Sequence, residues 1–306
     1  MNSKKVNRIF LSVIIVHILV VILLSVIISV YTLEIVPNLI ISQSIILVPA
    51  VIGVLLTGEN IIKLAGFHKI KISSVLMIIL FTFLVMPLVS LVNAISMLFV
   101  DNTVAAMSGE VLEVPFVVML LIIGVLGPFS EELVFRGIVY QGYKRSGTVL
   151  QAMILSALLF ALMHMNFNQA AYAFIIGIIV VLLVEATGSL WSSVLVHVVF
   201  NSQQVGLMYL YDMIVPSTGG LDEVQAQMDT DMLLAGISGF IIIAAITTTL
   251  AGCVLVWIAK NEKREENLRA VWTTRKDKKE NKMITVPLLI AIVLALSYMV
   301  LDVILS

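Results

Sequence analysis

Long apolar runs, each close to or above the roughly 20 residues needed to cross a hydrocarbon layer, follow one another along this chain with short polar breaks between them. Nine such runs stand out, at about 9–32, 38–57, 73–100, 114–140, 149–165, 170–186, 190–211, 232–259 and 284–305. They predict an all-α, polytopic transmembrane helix bundle of eight or nine membrane helices. Pro49, Pro87 and Pro128 fall inside runs and are expected to kink them. The stretch Lys63–Ser73 reads as a short basic surface segment. The first run follows Lys4, Lys5 and Arg8, is too long for the apolar part of a cleaved signal, and lacks a small-residue cleavage site, so it reads as the first membrane helix.

Composition makes the same assignment independently. The chain of 306 residues is 60% hydrophobic and 12% charged, with mean hydropathy +1.12. Soluble domains are about a quarter charged, so lipid is the solvent for most of this surface and the main non-peptide partner of the protein. The whole of 1–306 reads as one integral membrane domain, with 260–282, which contains Trp272, as a charged cytoplasmic linker. One cysteine, Cys253, excludes an intrachain disulfide framework and a cysteine-based zinc site, and reads as a small packed apolar residue. There is no glycine-rich phosphate loop and no ATP-binding domain, which excludes an ATP-driven transporter. Neither a nucleotide nor a nucleic acid is expected as a partner.

Charge is distributed unevenly. With the N-terminus in the cytoplasm, the inner loops hold Lys4, Lys5 and Arg8, then Lys63, Lys69 and Lys71, then Lys144 and Arg145, then the run from Lys260 to Lys282. Together these are seventeen of the eighteen Lys and Arg. The outer loops carry acids instead: Glu34, Asp101, Glu110, Glu113, Asp212, Asp222, Glu223, Asp229 and Asp231. This is the positive-inside pattern.

The eighteenth cation, Arg136, lies inside the fourth run with Glu131 and Glu132. A charge in a bilayer costs roughly 2.5–3.5 kcal/mol even on the lenient insertion scale, so three unpaired charges would cost on the order of 8 kcal/mol. They must be paired and must face protein or water. Residues four apart share a helix face, so Glu132 and Arg136 pair. Glu131 points about 100° away and is left free for chemistry.

Two of the four histidines extend this cluster. His164 ends the fifth run. His197 lies in the seventh, and Asn201 is one turn further on the same face. A His and an Asn in lipid need polar partners, and the three runs could satisfy one another. His17 among Ile and Val reads as a satisfied core histidine, and His68 as a solvated loop residue. Hydrolysis fits these residue types: a free carboxylate to activate water, with His and Asn to stabilise an oxyanion. Alternatively, two His and a Glu form a zinc site with the other Glu as base. The His-Glu-x-x-His and Gly-x-Ser-x-Gly motifs are absent, and the cysteine lies near no histidine in sequence. Two rival classes use buried charge differently: a transporter with a proton or ion relay, and a non-catalytic scaffold or immunity protein that keeps the pairs for folding.

In order along the chain, Glu131-Glu132-x-x-x-Arg136, Phe160-x-x-x-His164 and His197-x-x-x-Asn201 resemble the CAAX protease and bacteriocin-processing (CPBP) intramembrane peptidases. That family includes the type II CAAX prenyl endopeptidases and the lysostaphin-resistance-protein-A-like proteins. The stretch Glu185–Trp191 also looks like the family, and the resemblance covers about 114–205, the expected peptidase core. It implies an endopeptidase acting on a small hydrophobic or lipidated peptide, such as a CAAX-type protein or a bacteriocin or pheromone precursor, or a self-immunity role. It implies further that Glu131 activates water, with Glu132 and Arg136 in support. His164 would help hold the water, and His197 and Asn201 would stabilise the oxyanion. The metal question stays open: a Zn(2+), if used, would sit on Glu131, His164 and His197. Glu185 is expected to be structural. Chain length and short loops point to a bacterial cell membrane. For His164 to meet Glu131, the fifth and sixth runs must be short or re-entrant, with the polar turn Asn166–Gln169 at mid-depth facing a cavity.

Overall fold

Each apolar run becomes a helix, because in lipid every backbone N–H and C=O must be satisfied within its own segment. The computed structural model describes residues 1–28, 33–214, 230–273 and 282–305, and no strand occurs among them. Among the described residues nine long helices follow in order: α1 Ser3–Ile28, α2 Ile35–Leu56, α3 Ile72–Ser96, α4 Phe116–Lys144, α5 Val149–Met163, α6 Phe167–Thr187, α7 Leu190–Ile214, α8 Thr230–Asn261 and α9 Val286–Leu305. Seven of them are long and apolar enough to cross a membrane. The other two are α5, with only 15 residues, and α7, whose 25 residues include Ser, His, Asn and Gln. The fold is thus an all-α polytopic helix bundle. Of the expected short pair, α5 is the short member. Helix α6, at 21 residues, is long enough to span.

Burial ranks the helices. In α6 and α4, 56% and 50% of the spanning window is inside the protein, against 17% in α2 and in α8. The centre of the bundle is therefore built from α4 to α7, and the others wrap it with aliphatic side chains turned outward. Small residues allow the closest approaches at the centre. A Cβ on Gly177 of α6 would stand 2.8 Å from the Cβ of Ala157 in α5.

Local signals set the helix ends around this centre. Thr148 and Gln151 form a reciprocal capping box that starts α5. His164 ends α5, Met165 takes a left-handed φ of 56°, and the Asn166 side chain accepts from the Gln169 N–H at 2.8 Å to start α6. Gly188, with φ 72°, closes α6. The Asn166–Gln169 turn lines a cavity through Gln169 and packs against α3. Asn168 donates to Asn93 Oδ1 at 3.0 Å and to Ser96 Oγ at 2.8 Å, so the turn is level with the last turn of α3.

The loops assigned to the cytoplasm meet at one end of the bundle. Asn7 donates to the Met283 carbonyl and to Thr285, and accepts from the Tyr143 hydroxyl. Lys71 reaches the Asn261 carbonyl, Arg145 reaches Glu59, and Lys144 pairs with Glu185. Buried Glu185 also accepts from Tyr140 at 2.7 Å, tying α4 to α6 as a structural residue would. The basic segment after α2 forms a short helix, Ile61–Ala65, closed by Gly66 with φ 75°.

Three expectations need correction. The 260–282 segment is not all solvated linker: Glu265–Thr273 is helical and buries Val271, while Trp272 is exposed. Residues 274–281 lie outside the described residues, as do Asp222, Glu223 and Asp229 of the acidic outer loop. Cys253 is exposed on α8, not packed. His17 packs edge-on to Tyr298, at 6.2 Å between centroids, but its Nδ1 has no hydrogen-bond partner among the described residues, so it is not a satisfied histidine.

Candidate active site

Helix α4 is not a regular α-helix. It widens to π-helical geometry at Leu120–Leu126 and again at Leu133–Tyr140, on either side of the α-helical turn Gly127–Glu132. Such π-segments appear often at functional sites. Pro128 accounts for local needs of the first one. Lacking an N–H, it cannot donate to the carbonyl four or five residues back, which are Gly124 and Ile123. Helix α7 supplies the missing donors: Asn201 Nδ2 donates to Ile123 O at 3.2 Å and Ser202 Oγ to Gly124 O at 3.5 Å. Gly124 permits this approach, since a Cβ there would stand 2.7 Å from Ser202 Oγ.

The second π-segment carries Arg136. Its guanidinium donates to Glu132 Oε1 at 2.8 Å, the pairing that the four-residue spacing requires. The same oxygen accepts from His197 Nδ1 at 2.9 Å. Arg136 and Glu132 are 1% and 0% exposed. One charge of each sign, shared with a histidine, makes this burial tolerable. Glu131 is turned away, 15% exposed, with its Oε2 3.8 Å from His197 Nε2. His164 donates its Nδ1 proton to the Phe160 carbonyl at 2.9 Å. The partners of both Nδ1 atoms can only accept, so each histidine keeps its proton there and turns Nε2 away from that bond.

Phe160 joins these groups. The Arg136 guanidinium lies 4.1 Å over its ring. His164 and His197 meet it edge-on at 4.8 and 5.9 Å between centroids. The sequence marked Phe160 by motif alone; its role as the plate beneath the arginine is visible only in three dimensions.

Glu131, His164, His197 and Asn201 wall one cavity of about 290 Å³, and Phe160 also lines it. Helix lengths explain how they come level. Glu131 is thirteen residues, about 20 Å, from Lys144 at the end of α4; His164 is fifteen residues, about 22 Å, from Val149 just across the turn. Ala65 presses on Gly137, and the Leu190 N–H donates to the neighbouring Gly66 carbonyl at 3.0 Å. From that shared level Glu131 is six residues up α4 and His197 seven up α7, about 9 and 10 Å. Of the two arrangements expected, short or re-entrant, the fifth run takes the short one, and with a late-starting α7 this brings the three residues level. The cavity also takes in residues that no motif marked, among them Gln43 of α2 and Tyr172 and Gln169 of α6.

Two features of this donor set bear on a zinc ion. Histidine ligands commonly donate their second nitrogen to a carboxylate or carbonyl, as His197 and His164 do here. Yet among the described residues no three His, Cys, Asp or Glu side chains converge closely enough to hold a metal ion.

The family model for the type II CAAX prenyl endopeptidase Rce1-like proteins matches residues 113–203, which run from the start of α4 into α7 and contain all three motifs. Among curated proteins and among solved structures, nothing matches the chain. At family level the match supports an endopeptidase of the CAAX type, and with the seven long apolar helices it supports an integral, multi-pass membrane protein. Over residues 113–203 the chain is thus similar to the Rce1-like type II CAAX prenyl endopeptidases, consistent with an intramembrane peptidase of the CPBP family.

Proposed function

We propose that this protein hydrolyses a peptide bond in a hydrophobic or lipidated peptide, with Glu131 as the base for the attacking water. The observation that carries the reading is the division between adjacent carboxylates. Glu132 is fully buried and shared by Arg136 and His197, while Glu131 faces a cavity and, among the described residues, has no ion pair closer than 3.8 Å. That gap exceeds a direct hydrogen bond, and one water oxygen could stay within hydrogen-bonding reach, about 2.8 Å, of both groups.

In the proposed step Glu131 takes one proton from water as the oxygen adds to the scissile carbonyl carbon. His164 Nε2, its lone pair free, accepts from the water's other hydrogen and orients it. His197, oriented by Glu132 at Nδ1, donates from Nε2 to the oxyanion when it is imidazolium. Asn201 retains one amide hydrogen beyond that given to Ile123 and adds a second contact. Collapse breaks the C–N bond, and the proton held by Glu131 leaves on the amine. Arg136 and Phe160 hold Glu132, and so His197, in position.

A second reading is a zinc peptidase on Glu131, His164 and His197, favoured by the outward hydrogen bonds of both imidazoles. The experiment that separates the two compares wild type with Glu131→Ala in proteoliposomes, with and without a chelator, on a quenched-fluorescent prenylated Cys-aliphatic-aliphatic-X peptide. Loss of cleavage in Glu131→Ala and indifference to the chelator is the expected result. Chelator-sensitive cleavage selects the zinc reading, and full activity in Glu131→Ala removes both. The same proposal sets the protein in a bacterial cell membrane with a cytoplasmic N-terminus, supported by the seventeen cations of the inner loops. A bacteriocin, pheromone or signalling precursor is the substrate class it favours.

A further inference from the structure

We infer that Gln43 of α2 is a substrate-positioning residue, whose carboxamide oxygen accepts a hydrogen bond from a backbone N–H of the bound peptide. The inference rests on the endopeptidase reading above, and Gln43 lies outside the 113–203 segment that resembles a known family.

Gln43 lines the same cavity as Glu131, His164 and His197. Its Oε1 is buried and has no hydrogen-bond donor among the described residues. Most buried polar atoms are satisfied, because an unmade hydrogen bond is expensive in an apolar setting. Its amide lies against Gly127: a Cβ placed there would stand 3.4 Å from Gln43 Nε2. Gly127 is four residues before Glu131, on the same face of the α-helical turn that carries both. The Gln43 amide is therefore about one helical turn, roughly 6 Å, from the carboxylate assigned to the water.

The chemistry of a bound peptide matches that placement. An extended peptide entering an apolar cavity loses the water on its backbone N–H groups, and each must find an acceptor. Soluble peptide-binding domains often offer a sheet edge, but no strand exists among the described residues. A neutral side-chain amide supplies an acceptor without adding a charge in the membrane. An extended chain advances about 3.3 Å per residue, so the N–H that meets Gln43 belongs to a residue about two positions from the scissile carbonyl.

The test uses the full-length protein in proteoliposomes and the prenylated Cys-aliphatic-aliphatic-X probe. Binding is read by fluorescence anisotropy in a Glu131→Ala background, with Gln43→Leu, Gln43→Glu or neither added, after thermal unfolding shows each variant folded. Leu39, one turn away on α2 and also lining the cavity, provides the control Leu39→Ala. Gln43→Leu is expected to weaken probe binding roughly five- to a hundredfold. Gln43→Glu, which keeps an acceptor, should restore most of the loss, and Leu39→Ala should change binding less than Gln43→Leu does. Backbone N-methylation of the probe at one position should reproduce the loss, and combining it with Gln43→Leu should add nothing. Binding unchanged by Gln43→Leu, or losses that add at every methylated position, overturns this assignment and leaves the peptidase reading standing. Equal cleavage by wild type and Glu131→Ala overturns that reading and this one with it.

Discussion

Helices α4 and α8 are similar in length, at 29 and 32 residues, yet their glycines and polar residues do different things. In α4, Gly124 and Gly137 are pressed by Ser202 and Ala65, whereas Gly239 and Gly252 of α8 have nothing within 4 Å of where a Cβ would be. In α4, Glu132 and Arg136 are paired and buried. In α8, the hydroxyls of Thr247 and Thr248 have no partner among the described residues, and Cys253 is exposed. Mean hydropathy, 2.0 against 2.4, barely separates the two helices. What encloses each helix does: half of the spanning window of α4 is inside the protein, against 17% of that of α8, most of whose surface is turned outward. In a membrane, close helix contact comes from small residues and polar contacts, because apolar side chains gain nothing by leaving lipid.

That contrast can be broken by substitution. The largest effect is expected at Arg136. Arg136→Met leaves Glu132 as an uncompensated buried charge and should destabilise the fold by about 3–5 kcal/mol, while the double variant Glu132→Gln, Arg136→Met should recover much of that loss. Denaturant or thermal unfolding in detergent measures both, and an additive double variant would mean the pair is not coupled. Next comes Gly137→Ala, whose methyl would stand 2.9 Å from Ala65 Cβ; overpacking of this kind costs about 1–3 kcal/mol. Gly252→Ala, with open space around it, should be neutral or gain up to about 1 kcal/mol from helix propensity.

A smaller effect is expected where α7 serves the α4 backbone. Asn201→Ala removes the donor to Ile123 O and should cost about 0.6–1.7 kcal/mol of stability. Adding Pro128→Ala restores a backbone N–H nearby, so the combined variant should lose less than the sum, a coupling that a double-mutant cycle reads directly. Smallest of all, Cys253→Ser on the exposed face of α8 should shift stability by no more than about 0.5 kcal/mol. A large loss there would mean that the α8 face is covered by something other than lipid.

The apolar runs made every long helix legible, because a membrane span is written in twenty or so consecutive residues. The one-sided cations grouped the loops correctly, and those loops do meet at one end. The four-residue rule paired Glu132 with Arg136. Other features depend on long-range contacts and were not legible. The π-segments of α4 leave no local sequence mark beyond Pro128, and the donors to the first of them, Asn201 and Ser202, come from three helices later in the chain. The levels of Glu131, His164 and His197 depend on a short α5 and on where Gly66 starts α7, contacts that no local run of residues records. Gln43 carries no motif at all. His17 and Cys253 were misread for a common reason: a short apolar context does not say whether the neighbour is protein or lipid.

The central claim is that two adjacent glutamates divide the work, Glu132 holding the fold and Glu131 doing the chemistry. Purified Glu131→Gln, assayed for thermal unfolding and for probe cleavage on the same sample, tests it most directly. The account predicts unfolding indistinguishable from wild type and cleavage reduced by about 10²–10⁴-fold, the usual contribution of a general base. A variant that unfolds early, with cleavage falling only in step with the folded fraction, would contradict it.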